Sequence, residues 1–260
     1  RFEMYELKNE FKNIQFISIM NGLRLQHWFK IRKNLQLKNY KCDYFFSLNK
    51  FYIPHYKKII NSNYYILGHF RNNLVKISNT KFQKQFLLIS QIHIDKKLYD
   101  FHLKLLNFIN LYLSYSNKKL HILLRRARSN PAQVDEKNFY KKIFKSNCIF
   151  HESSNWKKKY EILDKFENII FTWTTMGYEA IARKKKIAVF APNKINGFKY
   201  YFGFPGQYKK EFDFFSTKNV TYKEVARILT NVNNCSQYNW NKKYFKIIEN
   251  QLIVNKNNEK

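Results

Sequence analysis

The sequence predicts an α/β fold built on a parallel sheet with helices on both faces. Two observations carry this. From residue 86 to residue 190, short apolar runs alternate with segments of helical length, and Gly177, one of only six glycines in 260 residues, stands where an apolar run feeds a helix. The alternation is that of right-handed βαβ crossovers. The glycine marks a point where a missing Cβ lets a ligand or a neighbouring strand approach the main chain. A hydrophobic content of 45% is enough to fill a core at this length, so the chain is not a disordered tail.

Taken in order, Ile14 to Met20, Tyr44 to Leu48 and Tyr64 to Leu67 read as strands, with Asn21-Gly22 and Gly68 as turn signals behind two of them. The polar stretch Arg71 to Gln83 reads as a linker and divides the chain into residues 1–80 and 81–260. Phe86 to Ile92 is then a strand, Lys96 to Tyr115 an amphipathic helix, Leu120 to Leu124 a strand, Glu136 to Lys145 a helix and Cys148 to His151 a strand. A short helix near Trp156 to Leu163, a strand Asn168 to Thr172, the helix Gly177 to Arg183 and a strand Ile187 to Phe190 complete the alternation. It is that of a Rossmann-like domain. Helices at about Tyr222 to Asn231 and Asn239 to Ile253 close the chain, and the Lys/Asn-rich end after Asn255 is expected to fray.

In such sheets ligands bind beyond the carboxyl ends of the strands, where the crossover direction reverses. The residues to read are therefore Gln91 and His93, Arg125 and Arg126, Glu152 to Ser154, Thr174 to Gly177, and Pro192 to Lys194. Two arginines, several hydroxyls and the free N–H groups of a helix start suit a phosphorylated ligand. Glu179, just behind, is placed to accept hydrogen bonds from ribose hydroxyls. On these residues alone an ordinary capped crossover, with Arg125-Arg126 as a solvated strand end, stays open.

The formal charge of +30 and pI near 9.9 point to nucleic acid or an anionic membrane surface. The basic residues are spread along the whole chain, however, and abundant Lys, Asn, Ile, Tyr and Phe with scarce Gly, Pro and Ala is the bias of AT-rich codons. Most of the charge is then a solvated surface. Three separated cysteines without a C-x-x-C pair argue for a reducing compartment and against a disulfide framework or a zinc site. No apolar run approaches the roughly 18 to 20 residues that span a bilayer, so a cytoplasmic location is expected, with peripheral contact to anionic inner-membrane lipid as the one membrane role. No G-x-G-x-x-G, P-loop, H-E-x-x-H, G-x-S-x-G or D-x-D is present. Oxidoreductase, P-loop and metal-assisted chemistry have no visible support, and no cofactor or metal is expected.

Several tracts together resemble the surface carbohydrate biosynthesis protein family, glycosyltransferase-like enzymes with a GT-B arrangement. They are ISIMNGLR at Ile17 to Arg24, DYFFSLNKFYIPHYKK at Asp43 to Lys58, LGHFRNN at Leu67 to Asn73, LLISQIH at Leu87 to His93, TTMGYEAIARKKKIAVFAPN from Thr174, and FGFPG with FFST between Phe202 and Thr217. The family's S-T-L-G-Y-E-A appears as Thr174 to Ala180. Its I-Q-N-G-x-R appears as Ile19 to Arg24 with Met20 in place of the glutamine, and the glycine of A-R-G-K-K is Lys184 here, a change expected to alter a helix C-cap without touching the site.

The resemblance implies two Rossmann-like domains with parallel sheets facing a cleft. Residues 1–80 would be the remainder of an acceptor-side domain, with much of it expected upstream of Arg1, and 81–260 the donor-binding domain. The expected activity is metal-independent transfer of a sugar from a CMP- or UDP-linked donor, with a lean to CMP, onto a surface polysaccharide or lipid-linked glycan, although such a fragment could be inactive alone. Donor nucleotide and phosphate would meet Gln91, Arg125, Arg126, Thr174, Thr175, Gly177 and Glu179. The acceptor-side cleft would hold Asn21, Gly22 and Arg24, and no catalytic base can be named. A basic nucleic-acid-binding α/β protein, and a nucleotide-dependent phosphotransferase or pseudoenzyme of the same fold, are the alternatives. Nucleic acid is the less favoured partner, because it has no need of an acidic residue in a switch-point helix.

Overall fold

The computed structural model describes residues 5–20, 40–50, 52–78, 83–92, 96–116, 118–125, 132–172, 174–192, 194–195, 198–199 and 210–249. These form two parallel sheets, each with its own core. In the first, β1 (Ile17–Ile19), β2 (Tyr40–Ser47) and β3 (Ile60–Ile66) lie in that order, with Ile17 opposite Tyr44 and Phe45 opposite Tyr64. Its core is aromatic: the Phe45 ring lies 4.6 Å from that of Tyr56 and 5.2 Å from that of Tyr64, above buried Tyr40 and Tyr52. Along β3, Ile60 is buried while Asn61, Asn63 and Tyr65 face water, the period-2 signature of a strand with one wet face.

The second sheet contains β4 (Gln83–Ile89), β5 (Leu120–Leu123), β6 (Cys148–His151), β7 (Phe166–Phe171), β8 (Lys186–Phe190) and β11 (Ser216–Thr217). A separate antiparallel pair, β9 (Lys194–Ile195) with β10 (Phe198–Lys199), lies between the last two in sequence. The strand order is β11-β8-β7-β4-β5-β6, with every pair parallel. From β4 the chain winds through β5 and β6 to one edge, crosses back to β7 and proceeds through β8 to β11 at the other. That is the doubly wound order with its switch point between β4 and β7. Central strands lose water on both faces, which is why β7 is buried at all six positions and β4 from Phe86 to Ile89.

The helix Lys96–Tyr115 packs Leu105, Leu106, Ile109 and Leu113 inward at helical spacing. It lies against the helix Tyr222–Asn234, which buries Val225, Ile228, Leu229 and Val232. Thr221 caps the latter helix by accepting a hydrogen bond from the Glu224 N–H at 3.3 Å, the Thr-x-x-Glu signature of a helix start.

Several boundaries differ from the sequence reading. β1 is limited to Ile17–Ile19, β2 and β3 begin earlier at Tyr40 and Ile60, and β4 runs from Gln83 because Gln83 pairs with Phe166. Strand ends follow the ladder partner, which an isolated apolar run does not reveal. The stretch read as a linker from Arg71 begins inside a helical turn, Phe70–Asn73. β11 and the 3-10 turn Lys210–Phe214 before it are too short to leave a periodic signal. After Gln237 the closing helix widens into a π segment, Trp240–Phe245, and returns to an α-helix over Lys246–Glu249; its expected continuation from residue 250 to Ile253 and the end after Asn255 lie outside the described residues.

One buried carboxylate joins the two halves. Asp164, 1% exposed at the end of the helix Trp156–Asp164, accepts from Arg183 Nε at 2.7 Å and from Arg183 Nη2. The same guanidinium reaches back along the chain, donating from Nη1 to Asn72 Oδ1 and the Val75 carbonyl at 3.0 Å each and from Nη2 to the Lys76 carbonyl at 3.3 Å. The Ser78 N–H donates to Asp164 Oδ2 at 3.0 Å, and Lys185 Nζ donates to the Asp164 carbonyl at 2.7 Å. Burial lowers the Lys185 pKa to about 8, opposed by the Asp164 charge. Residues 72–78 are thereby riveted to the second sheet.

Two outcomes are expected. Asp164→Asn leaves two buried cations without their counter-charge and should lose about 3–5 kcal/mol in urea denaturation; a loss below about 1 kcal/mol would mean that the clamp is solvated. At the helix end that holds Arg183, the N–H of Lys184 donates to Ile181 O at 2.8 Å and that of Lys185 to Ala180 O at 3.0 Å, the Schellman pattern, with Lys184 at φ 59°. Because only glycine takes that conformation without steric penalty, Lys184→Gly should raise stability by about 1 kcal/mol. An unchanged or lower melting temperature would contradict this.

Candidate functional site

The switch point sets the carboxyl ends of β7, β4 and β5 side by side, and each supplies part of one polar edge. Beyond β4, Gln91 Oε1 accepts from Thr172 Oγ1 at 2.5 Å and the Gln91 N–H donates to the Tyr140 hydroxyl at 3.2 Å. Thr172 directly follows β7, so this bond spans the switch point. Glu136, buried on the helix Ala132–Phe144, accepts through Oε1 from the Ser90 hydroxyl and from the Arg125 N–H at 2.8 Å. Burial pushes the Tyr140 hydroxyl above the usual phenol range, so the cluster stays hydrogen-bonded and uncharged at that point.

Beside it Lys159 feels the charge of two arginines from two other elements. Arg125 is exposed just after β5, and its carbonyl accepts from Lys159 Nζ on the helix Trp156–Asp164. Burial lowers the Lys159 pKa; Glu136 opposes that shift, while repulsion from Arg125 and Arg71 adds to it. Arg71 is exposed on the turn Phe70–Asn73, which the Asp164 clamp holds in place. A half-buried ammonium that feels two guanidinium groups is stabilised by any anion that enters between them.

Glu179 lies in the second turn of the helix Thr175–Ala182 and is 6% exposed. Its Oε2 accepts from the Tyr160 hydroxyl at 2.7 Å. His69 Nδ1 sits 2.7 Å from Oε1, within ion-pair distance but off the line of a hydrogen bond. Burial first, then the Glu179 charge, raise the Tyr160 pKa well above the phenol range, so Tyr160 remains a donor.

Thr174 stands at the N-cap in an extended conformation, and its side chain makes no capping bond; its carbonyl accepts from the Gly177 N–H at 3.1 Å. Gly177 answers to a packing demand. A Cβ there would lie 2.2 Å from ring atoms of Phe171, so it is the strand ring that occupies the space.

Gln91, Arg125, Thr174, Thr175, Gly177 and Glu179 thus share the carboxyl side of the sheet. Arg126, His93 and the acceptor-side residues Asn21, Gly22 and Arg24 lie outside the described residues. Arg71, Lys159, His69, Tyr160 and Glu136 were not singled out from the sequence. His69 and Arg71 fall in the LGHFRNN tract directly behind a strand, which was the available signal, whereas Lys159 is hidden in a Lys-Lys-Lys run that looks like a solvated helix face. Among the described residues, no three His, Cys, Asp or Glu side chains converge as a metal site would need, and no helix is long and apolar enough to cross a membrane.

No curated protein matches the sequence significantly. Among solved structures, S. aureus MnaA with UDP is similar at 12% identity over 95% of this chain and 66% of that one, with a TM-score of 0.55. The wall teichoic acid polymerase TagF is similar at 13% identity over 95% and 66%, TM-score 0.54, and TarM at 16% over 95% and 49%, TM-score 0.50. The chain spans about half to two thirds of the length of these structures. At such identities the likeness speaks for the fold, which is the GT-B-like α/β fold with parallel sheets. The sequence profile of a family described as "putative O-antigen biosynthesis protein" matches residues 17–260, and the chain belongs to that family.

Proposed function

We propose that the protein is a glycosyltransferase that moves a sugar from a nucleotide-linked donor to a surface glycan, with the donor phosphates held against Arg71, Arg125 and Lys159. The observation that carries this is Lys159, bonded to the Arg125 carbonyl and within the field of Arg125 and Arg71, beyond the carboxyl ends of a doubly wound sheet and beside its switch point. Membership of an O-antigen biosynthesis family supports sugar transfer as the reaction class. A fold shared with a UDP-bound structure supports a nucleotide as the ligand.

When the glycosidic bond to the donor breaks, negative charge builds on the departing nucleoside phosphate. Fixed cations that meet this charge lower the barrier without reorganising. Thr174 and the open N–H groups of its helix add neutral donors on the same side. Glu179 accepts ribose hydroxyls by exchanging its contacts with Tyr160 and His69, and Gln91 contacts nucleotide or phosphate. No divalent ion is required in this scheme, because ammonium and guanidinium groups carry the phosphate charge. CMP- and UDP-linked donors both fit. The acceptor enters from the side of Asn21, Gly22 and Arg24, and reaction at the cytoplasmic face of the inner membrane suits a lipid-linked acceptor.

Calorimetry with UDP and CMP in excess EDTA tests this. At least one nucleotide should bind, and Lys159→Gln or Glu179→Gln should each weaken it about ten- to a hundredfold, the equivalent of one charge-assisted hydrogen bond of about 1.5–3 kcal/mol. Since the Lys159 pKa lies below the usual lysine value in the free protein, affinity should fall as pH rises through that lowered pKa, earlier than for an ordinary lysine, and Lys159→Gln should flatten the profile. Binding that vanishes in EDTA and returns with magnesium, or that ignores both substitutions, would contradict the scheme.

A further inference from the structure

A cavity of about 640 Å³ opens between the end of the helix Tyr222–Asn234, the π segment Trp240–Phe245 and Phe214. It lies at the opposite, amino edge of the sheet. Phe214 precedes β11, and Lys186, the first residue of β8, donates from Nζ to the carbonyl of Cys235 in the cavity wall at 2.6 Å. The five residues of β8 separate this edge from the carboxyl ends of the strands, a rise of about 17 Å. No donor-side residue named above lines it.

Its lining has one consistent chemistry. Asn239, Lys242 and Lys243 all line it, the two lysines from the π segment. Both lysines are exposed, and among the described residues neither has a carboxylate partner; each ammonium instead lies near an aromatic ring, Lys242 at 5.9 Å from Tyr238 and Lys243 at 5.4 Å from Tyr244. Among the described residues, no aspartate or glutamate lines the cavity. Asn231 and Asn234 add carboxamides from the other wall, one of them braced by a bond from Asn231 Nδ2 to the Phe214 carbonyl at 3.2 Å. Phe214 and Tyr244 also line the cavity, their rings stacked on each other at 4.1 Å and 14°.

Carboxamides serve both as donors and as acceptors for hydroxyl groups, ring edges pack against the C–H groups of a pyranose, and two adjacent exposed ammonium groups favour an acid. We propose that this cavity is a glycan subsite, separate from the donor edge, that holds a carboxylated sugar residue of a polysaccharide chain. A growing polymer held there stays on the enzyme surface while its end is extended elsewhere.

The test uses the whole chain and a hyaluronan hexasaccharide, which alternates carboxylated and neutral sugars, with maltohexaose as the neutral control. The acidic hexasaccharide should bind at least tenfold more tightly than maltohexaose. The double substitution Lys242→Gln/Lys243→Gln should weaken it at least tenfold, and Asn239→Leu should weaken it several-fold. These side chains are exposed, so far-ultraviolet circular dichroism should be unchanged, and nucleotide affinity should equal that of the unaltered protein. Equal binding of both oligosaccharides, or no effect of the double substitution, would overturn the proposal. So would displacement of the hexasaccharide by an equimolar amount of inorganic phosphate, which would mark a phosphate site, or binding only to phosphatidylglycerol vesicles, which would mark a membrane contact. Hexasaccharide binding in a protein that binds neither UDP nor CMP would leave this subsite standing and remove the donor assignment alone.

Discussion

The arrangement depends on Asp164. Its carboxylate is buried at the end of one helix, neutralises Arg183 at the end of another, and through that guanidinium holds residues 72–76 of the preceding half of the chain. A buried arginine with five donors is tolerable only when those donors are met, and here the acceptors come from both sides of the junction. Without the carboxylate, the carbonyls of Val75 and Lys76 would face an unpaired charge. With it, Arg71 and His69 are delivered to the edge where Lys159, Arg125 and Glu179 already stand. The junction and the candidate site are thus one electrostatic unit.

The same unit explains why a net charge of +30 says little by itself. Most lysines are spread over the surface, where solvent and salt screen them. Charge matters where geometry concentrates it and burial removes water, as at Lys159, whose ammonium is opposed by burial and by two guanidinium groups. Catalytic stabilisation of a leaving phosphate needs such preorganised cations more than it needs many of them. Negative charge is handled with equal economy, Glu179 and Asp164 both being buried and each bonded by a specific partner.

Much of the second sheet was legible because its strands are short apolar runs punctuated by helices of sufficient length, and Lys96–Tyr115 and Cys148–His151 fall where periodicity puts them. The residues following each strand could also be named, since a parallel sheet exposes its ligand edge at fixed points in the chain. What could not be read was anything that depends on contact between distant segments. Arg71 stands where the sequence reads as the start of a linker and Arg183 where it reads as a helix end, while Asp164 and Lys159 carry no signal of their own in the sequence. Their roles arise only when residues separated by about a hundred positions are brought together. Gly177 shows the intermediate case. The need for a missing Cβ was visible, yet only the packed structure identifies the Phe171 ring as the group that fills the space.

A structure of the chain with UDP bound tests the placement of the donor most directly. The expected result is a diphosphate within hydrogen-bond distance of Arg125 and Lys159, near Arg71, with the ribose hydroxyls turned to Glu179. A diphosphate held at the amino-edge cavity, or at the carboxyl edge but out of reach of all three cations, would contradict it.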